Sequence, residues 1–352
     1  NWATQPDPFR RYRGTRLLDL EVVLPGEHPA YEPPFRVGQI APEPLKHRTI
    51  SQLFFDSLAL SAWKRAGDAS WALRVNPSSG NLHPTEGYLV CGPVEGLTDV
   101  PLVAHYAPRE HALEVRAELP PETWQTLVAD LPPGTILVGL SSIHWREAWK
   151  YGERAFRYCQ HDVGHALAAI GIAAAGLGWQ ATLLDDLGSE EISWLLGLDE
   201  PLEAEAEHPD CLLAVYPQGH KYAGATLPPE PMAVFRQLVW QGKANQLSPS
   251  RRSWPLIDEV TAATTKPATS AVYSREPAVR GLSATGVAEE EVGLHLRRII
   301  HQRRSAVAME PQSHTDIYTF YRILYKTLPG PGHIPFDSLP WFPVVHLVLF
   351  VH

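Results

Sequence analysis

Arg74-Val75-Asn76-Pro77-Ser78-Ser79-Gly80-Asn81-Leu82-His83-Pro84 is a polar loop punctuated by glycine and proline, and an apolar run over residues 87–91 follows it. Gly80 has no β carbon, so the backbone at this position can approach a bound ligand closely. The loop also offers backbone N–H groups, two hydroxyls and an amide without bulky side chains. These groups suit a planar polar ligand, so we predict a cofactor-binding loop that leads into a strand.

The composition is that of a globular protein with room for two lobes. The chain has 352 residues, of which 44% are hydrophobic and 20% charged, and domains commonly span roughly 100–200 residues. Its formal net charge of −9 disfavours nucleic acid as the main partner, because phosphate binding needs clustered Lys and Arg. We therefore expect a small-molecule or peptide substrate rather than a nucleic acid.

Cysteine usage and hydropathy predict a cytoplasmic protein. Cys91, Cys159 and Cys211 are widely separated and show no metal-type spacing, which indicates buried thiols in a reducing compartment. The sequence contains no run of about twenty apolar residues, so it predicts no membrane span. The sequence starts at Asn1 rather than Met and stops within an apolar run over 344–351, from which we expect a fragment of a longer chain.

Hydrophobic periodicity predicts an α+β fold for the first part of the chain. The segment 166–175 is apolar on every side, which is typical of a helix buried all round, and Gly176 and Gly178 are suited to ending it. Short apolar runs bounded by turn residues predict strands. The predicted helices cover 51–63, 149–177 and 189–196, and the predicted strands lie around Tyr88, within 99–116 and over 136–140, 179–184 and 211–215.

The second part of the chain repeats this order in outline. We predict an extended, proline-rich arm over 1–45, a lobe over 46–240, a linker over 241–287 and the start of a second lobe over 288–352. In the second lobe, helices over 289–301 and 314–328 precede a strand over 344–351. The segment 339–343 stands where the first half has its polar loop but lacks the matching polar groups, so we predict a degenerate internal repeat with one cofactor per chain.

The polar loop resembles the Pro-Ser-x-x-Asn flavin-contact segment of the FMN-dependent nitroreductase superfamily. Its longer form, Arg-x-x-Pro-Ser-x-Gly, resembles the branch that contains the SagB/ThcOx azoline dehydrogenases. This resemblance implies a nitroreductase-like fold, with a mostly antiparallel sheet flanked by helices, in two fused copies that hold FMN between them. It also implies flavin-ring contacts, with Arg74 nearby, from Pro77, Ser78, Ser79 and Asn81.

The same resemblance implies a phosphate clamp from the second half, formed by Arg303, Arg304 and Ser305. A guanidinium group suits phosphate because its planar fork donates two parallel hydrogen bonds. Arg48 with Thr49 or Ser51 is an alternative clamp, and Arg-Arg-Ser also occurs at 251–253. His220 and Lys221 can add a further phosphate contact.

Lys150 and Tyr151 match the Lys-Tyr motif of the azoline dehydrogenases, in which a base removes a proton while flavin takes a hydride. A neighbouring ammonium favours the phenolate, and burial disfavours a charged lysine. Adjacent residues on a helix point about 100° apart, so both can serve one substrate only near a helix start. The alternative is a first-turn pair that only packs against its surroundings.

Two further motifs have both a functional and a structural interpretation. His161 and His165 lie four residues apart, a spacing that can bind zinc, but no third ligand is evident, so we expect buried, hydrogen-bonded histidines and no metal. Gly178 follows the long helix, where superfamily members offer backbone N–H groups to the flavin N5/O4 edge. Its alternative reading is an ordinary helix cap.

The sequence thus predicts an FMN-dependent oxidoreductase of SagB/ThcOx type that oxidises a thiazoline or oxazoline, with oxygen reoxidising the flavin. One alternative is an NAD(P)H-dependent nitro- or quinone reductase on the same scaffold. Another is a non-catalytic flavin-binding or partner-docking protein, which the degenerate second half allows. The chain is then a pseudo-dimer in itself, and a homodimer is also possible.

Overall fold

The computed structural model describes residues 2–198, 205–219, 227–269, 293–329, 332–341 and 345–350. The strands are β1 (Tyr12–Arg13), β2 (Leu17–Asp19), β3 (Leu60–Ala66), β4 (Ala69–Arg74), β5 (Thr85–Cys91), β6 (Leu102–Ala107), β7 (Ala112–Glu118), β8 (Ile136–Ser142), β9 (Trp179–Leu183), β10 (His208–Pro217) and β11 (Lys243–Ala244). The helices are α1 (His47–Ser57), α2 (Pro121–Leu127), α3 (His144–Tyr151), α4 (Ala155–Gly176), α5 (Ser189–Leu196), α6 (Glu230–Phe235), α7 (Pro255–Ala263), α8 (Leu296–Gln302) and α9 (Ile317–Lys326).

A seven-stranded sheet with the order β2-β7-β6-β5-β8-β10-β9 forms the centre of the fold. Every neighbouring pair in it is antiparallel. All seven residues of β5 are buried, because this strand has sheet on both sides and helices on both faces. Alternate side chains point to opposite faces, so Leu89 and Tyr88 enter different cores.

Helices cover both faces of this sheet. Apolar residues of α1 and α4, such as Phe54 and Ile170, pack on one face. Residues of α2, α5 and α6, such as Trp124, Leu195 and Phe235, pack on the other. The predicted α+β architecture, with a mostly antiparallel sheet between helices, is therefore confirmed.

A buried ionic network crosses the sheet behind the polar loop. His105 on β6 lies 2.9 Å from a carboxylate oxygen of Glu86 and 2.9 Å from one of Glu114. Burial opposes the charged imidazole, but the hydrogen bonds to Glu114 and Glu86 raise the pKa of His105 to about 9. Arg146 of α3 donates to Glu86 from the opposite side, so the network ties α3 to the sheet.

Two predicted helices have different bounds in the structure. The first ends at Ser57, and residues 60–63 belong to β3 of a separate β3-β4 hairpin, because a short apolar run fits either period. The predicted helix over 149–177 is two helices. Gly152 has φ 58° and ψ −135° and ends α3, so Lys150 and Tyr151 lie in the last turn of α3 rather than in a first turn.

In the described part of the second half, α8 packs against α1 and β3, and the turn Phe336–Ser338 packs against α4 and β9. Arg297 Nη2 donates to Asp56 Oδ1 at 3.0 Å, and His301 Nε2 lies 2.9 Å from the same oxygen. The strand predicted over 344–351 is wrong for residues 345–350, which are exposed and have no regular structure; positions 344 and 351 lie outside the described residues. Residues 289–292 of a predicted helix also lie outside them, and the helix begins at Leu296.

The remaining predicted segments have mixed outcomes. The arm contributes β2 to the edge of the main sheet, and the described part of the predicted linker contains β11 and α7. The domain boundaries and the fused second copy stay predictions. All three cysteines are free and buried, as expected. Even the 22-residue α4 does not reach the length and apolarity of a membrane span, nor does any other helix in the described part of the chain.

Candidate functional site

The polar loop is a strained turn that its own side chains hold in shape. Residues Ser79–Asn81 form a single 3-10 turn in which Gly80 has φ 61° and Asn81 φ 60°. The Asn81 amide donates to the Ala72 carbonyl at 2.9 Å, and its oxygen lies 3.0 Å from His83 Nε2. The Ser78 hydroxyl accepts the His83 N–H at 2.8 Å. The positive φ angles favour Gly and Asn, so sequence and conformation agree here.

Asp162 fixes the loop from α4. Its carboxylate is fully buried and accepts the Ser79 N–H at 3.0 Å and the Ser79 hydroxyl at 3.1 Å. Sequence reasoning assigned Asp162 no role, because an acidic residue on a helix is usually exposed. The flanking histidines, expected to be buried, are instead exposed, because Asp162 rather than either imidazole occupies the face that packs on the loop.

Lys150 and Tyr151 meet this loop at Gly80. The Lys150 Nζ lies 3.5 Å from the Gly80 carbonyl oxygen. A β carbon built on Gly80 would lie 2.5 Å from Tyr151 Oη and 3.0 Å from Lys150 Nζ. The Tyr151 ring also packs against Tyr158 of α4, with the ring centroids 4.5 Å apart. The fold therefore brings together the two motifs that the sequence placed about seventy residues apart.

Arg303 of the second half reaches the same loop, and Arg304 reaches strand β3. Arg303 Nη2 donates to the Val75 carbonyl at 3.3 Å, and Arg304 Nη2 donates to the Ser61 carbonyl at 3.3 Å. Both arginines and Ser305 are exposed, so they present cationic and hydroxyl donors beside the polar loop. The contact between Arg303 and Val75 connects the two parts of the chain at this point.

Arg74, the first residue of the polar loop, is buried and held by contacts within the protein. It is 5% exposed, donates to the carbonyls of Thr85 at 3.0 Å and Pro8 at 2.6 Å, and lies 3.9 Å from Glu86. Burial lowers the pKa of Arg74 to about 10, although Glu86 opposes that shift. These contacts tie the end of β4 to the arm and to β5.

The other predicted contacts lie elsewhere. Arg48 is exposed and donates to Glu21 at 3.1 Å, at the start of α1. Gly178 packs on the arm, where an added β carbon would lie 2.5 Å from the Ala41 carbonyl oxygen. From Asp162 to the end of α4 is roughly 21 Å at 1.5 Å per residue, so Gly178 is far from Gly80. Residues 251–253 line a separate cavity of about 300 Å³, and His220 and Lys221 lie outside the described residues.

Tyr151 and Glu147, two titratable side chains near Gly80, both have raised pKa values. Burial, and then Glu147 and Tyr158, raise the pKa of Tyr151, which Arg154 partly offsets. Burial, and then Asp162, raise the pKa of Glu147 to about 9, against the influence of Lys150. Tyr151 is therefore a neutral phenol at neutral pH, contrary to the expectation that the adjacent ammonium would favour its phenolate. Sequence reasoning also overlooked Glu147.

The donor set of this region fits the phosphate of a flavin mononucleotide. Arg303, Arg304 and Ser305 are exposed donors beside the loop, and guanidinium groups bind phosphate through charge-assisted hydrogen bonds. The side chains of Ser79 and Asn81 are instead engaged within the protein. They shape the loop, whose Ser79, Asn81 and His83 N–H groups also donate within the protein. Within the described residues, no cluster of His, Cys, Asp and Glu has the arrangement of a metal site.

Comparison with known proteins supports the fold. No protein-family model matches the chain, and no curated protein matches it. A solved structure of a nitroreductase from Anabaena variabilis is similar, with a TM-score of 0.56 and 22% identity over 88% of this chain. The match covers 60% of that protein's length. This likeness establishes a nitroreductase-like fold.

Two other solved structures are similar over a smaller part of the chain. The Escherichia coli microcin synthetase McbBCD complex with truncated pro-MccB17 bound gives a TM-score of 0.40 and 17% identity, covering 60% of this chain and 77% of the other. An NAD(P)H:FMN oxidoreductase from Staphylococcus epidermidis gives a TM-score of 0.32 and 9% identity, covering 59% of this chain and 97% of the other. At these scores neither superposition supports a conclusion about function.

Proposed function

We propose that the chain is an FMN-dependent oxidoreductase whose flavin lies along the polar loop. Arg303, Arg304 and Ser305 would hold the phosphate, and residues 77–81 would line the ring. One observation carries the proposal: Lys150 contacts the polar loop at Gly80, and Arg303 of the second half contacts the same loop at Val75. The nitroreductase-like fold, established independently by structural similarity, supports the same cofactor.

The reaction that we propose is oxidation of an azoline ring in a peptide or small natural product to the aromatic azole. This conversion removes one hydride and one proton from neighbouring ring carbons. The flavin, when bound, supplies the hydride acceptor. Lys150 takes the proton, and Tyr151, whose raised pKa keeps it a phenol, donates a hydrogen bond that orients the substrate.

A second candidate is an NAD(P)H-dependent nitro- or quinone reductase. The observation in its favour is the fold shared with a protein described as a nitroreductase over 88% of this chain. In that case electrons flow in the opposite direction, from nicotinamide to flavin to acceptor. The polar loop and the arginine clamp would serve both reactions, so the direction of electron flow distinguishes the candidates.

The first experiment is the visible spectrum of the purified chain, with mass identification of any released chromophore. We expect FMN, either retained or restored by reconstitution. Aerobic turnover of a thiazoline-containing peptide, abolished in Lys150→Ala but retained in the exposed control Glu153→Gln, would support the dehydrogenase. Rapid bleaching of the flavin by NADPH with nitroarene turnover would favour the reductase, and a protein that cannot be loaded with flavin would end both proposals.

A further inference from the structure

Glu147 of α3 is a buried carboxyl group without a partner. It is 0% exposed, and neither carboxyl oxygen has a hydrogen-bond partner among the described residues. Buried polar atoms are nearly always paired, and an isolated buried charge is strongly unfavourable. The absence of a partner therefore needs a physical reason.

The position of Glu147 on α3 makes its lack of a hydrogen-bond partner among the described residues more informative. Glu147, Lys150 and Tyr151 occupy positions i, i+3 and i+4, so they share one face of α3, where an acid and a lysine usually pair. No ion pair joins Glu147 to Lys150 in the described part of the chain. The Lys150 Nζ lies instead 3.5 Å from the Gly80 carbonyl oxygen. Lys150 thus extends toward the loop rather than back toward Glu147.

The surroundings of Glu147 favour a neutral carboxyl group. Burial and the nearby Asp162 raise its pKa to about 9, while Lys150 acts in the opposite direction. Asp162 in turn is engaged by Ser79. The titratable and charged groups around this position lie on α3, on α4, in the turn between them and on β10: Lys150, Tyr151, Cys159, Asp162, Arg154 and Asp210.

We propose that Glu147 is a neutral, proton-carrying acid that positions Lys150, leaving its amino group free to reach the loop at Gly80. An ionised Glu147 would stabilise the ammonium form of Lys150 and draw it back along α3. The role in catalysis rests on the function proposed above, whereas the protonation of Glu147 does not. Glu147 acts through Lys150 and touches no substrate, so it is a positioning residue.

The protonation is tested without turnover by infrared spectroscopy. We expect the carbonyl stretch of a protonated carboxyl group at pH 7.5 that disappears by pH 10.5 and is absent from Glu147→Gln. Burial, against a hydrogen bond from Ser142, also raises the pKa of Asp210, to about 7. Asp210→Asn therefore identifies the second source of such a band. A spectrum at pH 7.5 that Glu147→Gln leaves unchanged would overturn the inference, whether or not the protein binds flavin.

The positioning role is tested by the pH dependence of turnover. Glutamine mimics the neutral acid, so Glu147→Gln should keep kcat at pH 7.5 within about twofold and lose the fall in kcat that we expect of the native enzyme near pH 9. The exposed control Glu153→Gln should keep that fall. An alkaline limb that Glu147→Gln leaves unchanged would belong to Lys150 or Tyr151 and would refute the role. If azoline turnover is never found but the infrared band behaves as expected, only the proposed function fails.

Discussion

Replacement of Gly80 by alanine separates the conformational demand of the loop from its contact with the Lys-Tyr pair. Gly80 has φ 61°, and a β carbon there would lie 2.5 Å from Tyr151 Oη. Gly67, in the β3-β4 turn, has φ 57° and open space around its β carbon position. Gly67→Ala is therefore a matched control, because it imposes the same backbone conformation on alanine without displacing a neighbour.

Both variants should lose similar stability. A non-glycine residue in the left-handed region is disfavoured by roughly 1–2 kcal/mol, which urea unfolding measures directly. Only Gly80→Ala also forces Tyr151 Oη to retreat by about 1 Å, and Lys150 Nζ by about 0.5 Å, to reach an ordinary contact distance of about 3.5 Å. A displacement of that size at reacting groups can lower turnover by about 100-fold.

The assay is steady-state turnover of each variant with flavin saturating, together with its unfolding free energy. We expect kcat to fall by about two orders of magnitude in Gly80→Ala and to stay close to the native value in Gly67→Ala. Turnover close to the native value in both variants would refute the argument that Lys150 and Tyr151 act at this loop. A loss in Gly67→Ala as large as that in Gly80→Ala would assign the effect to stability alone.

Three further outcomes follow from other contacts. Arg303→Ala should weaken FMN binding by at least tenfold, since a charge-assisted hydrogen bond contributes about 1.5–3 kcal/mol, whereas Arg298→Ala, exposed on α8, should not; equal dissociation constants in a flavin titration would contradict the clamp. The raised pKa of His105, about 9 against an ordinary 6.5, stabilises the folded state fully below pH 6.5. This stability, about 3 kcal/mol at most, is lost as pH rises through 9. Urea unfolding between pH 6 and 10 should show the decline, and His105→Gln should flatten it. Burial raises the pKa of the Cys91 thiol to about 12, so a thiol reagent should modify it only on unfolding, and fast labelling of the native protein would contradict its burial.

The fold was predictable because its signals are local. The apolar runs of β5 and β8 and the all-apolar second half of α4 predict burial, and the structure buries both strands and all of 166–175 except Ala168, Ala169 and Ile172, which are partly exposed. The bounds were less predictable where a single residue decides them. Gly152 ends α3 with a positive φ, yet the same apolar period continues on both sides of it, so periodicity alone joins α3 and α4 into one helix.

The candidate site was predictable only in part, because its residue types are visible in the sequence and their contacts are not. The loop and the Lys-Tyr pair were recognised as separate motifs, and their meeting at Gly80 depends on how α3 packs beside the loop. Asp162 and Glu147 were overlooked for the opposite reason: each is a single acidic residue whose role arises from burial. Burial by elements far apart in sequence cannot be read from residue type alone.

Lys150 and Tyr151 are adjacent residues at the end of α3, and this position affects how both of them can serve one site. Side chains one residue apart point about 100° apart on a regular helix, so we expected them near a helix start, where geometry is looser. The structure places them at the other terminus, where Gly152 leaves helical geometry. Both side chains still approach Gly80, which has no β carbon. Because Gly80 has no side chain, Lys150 and Tyr151 can both reach the loop at this position although they leave α3 in different directions. Gly80 and the Lys-Tyr pair therefore have to be treated as one unit.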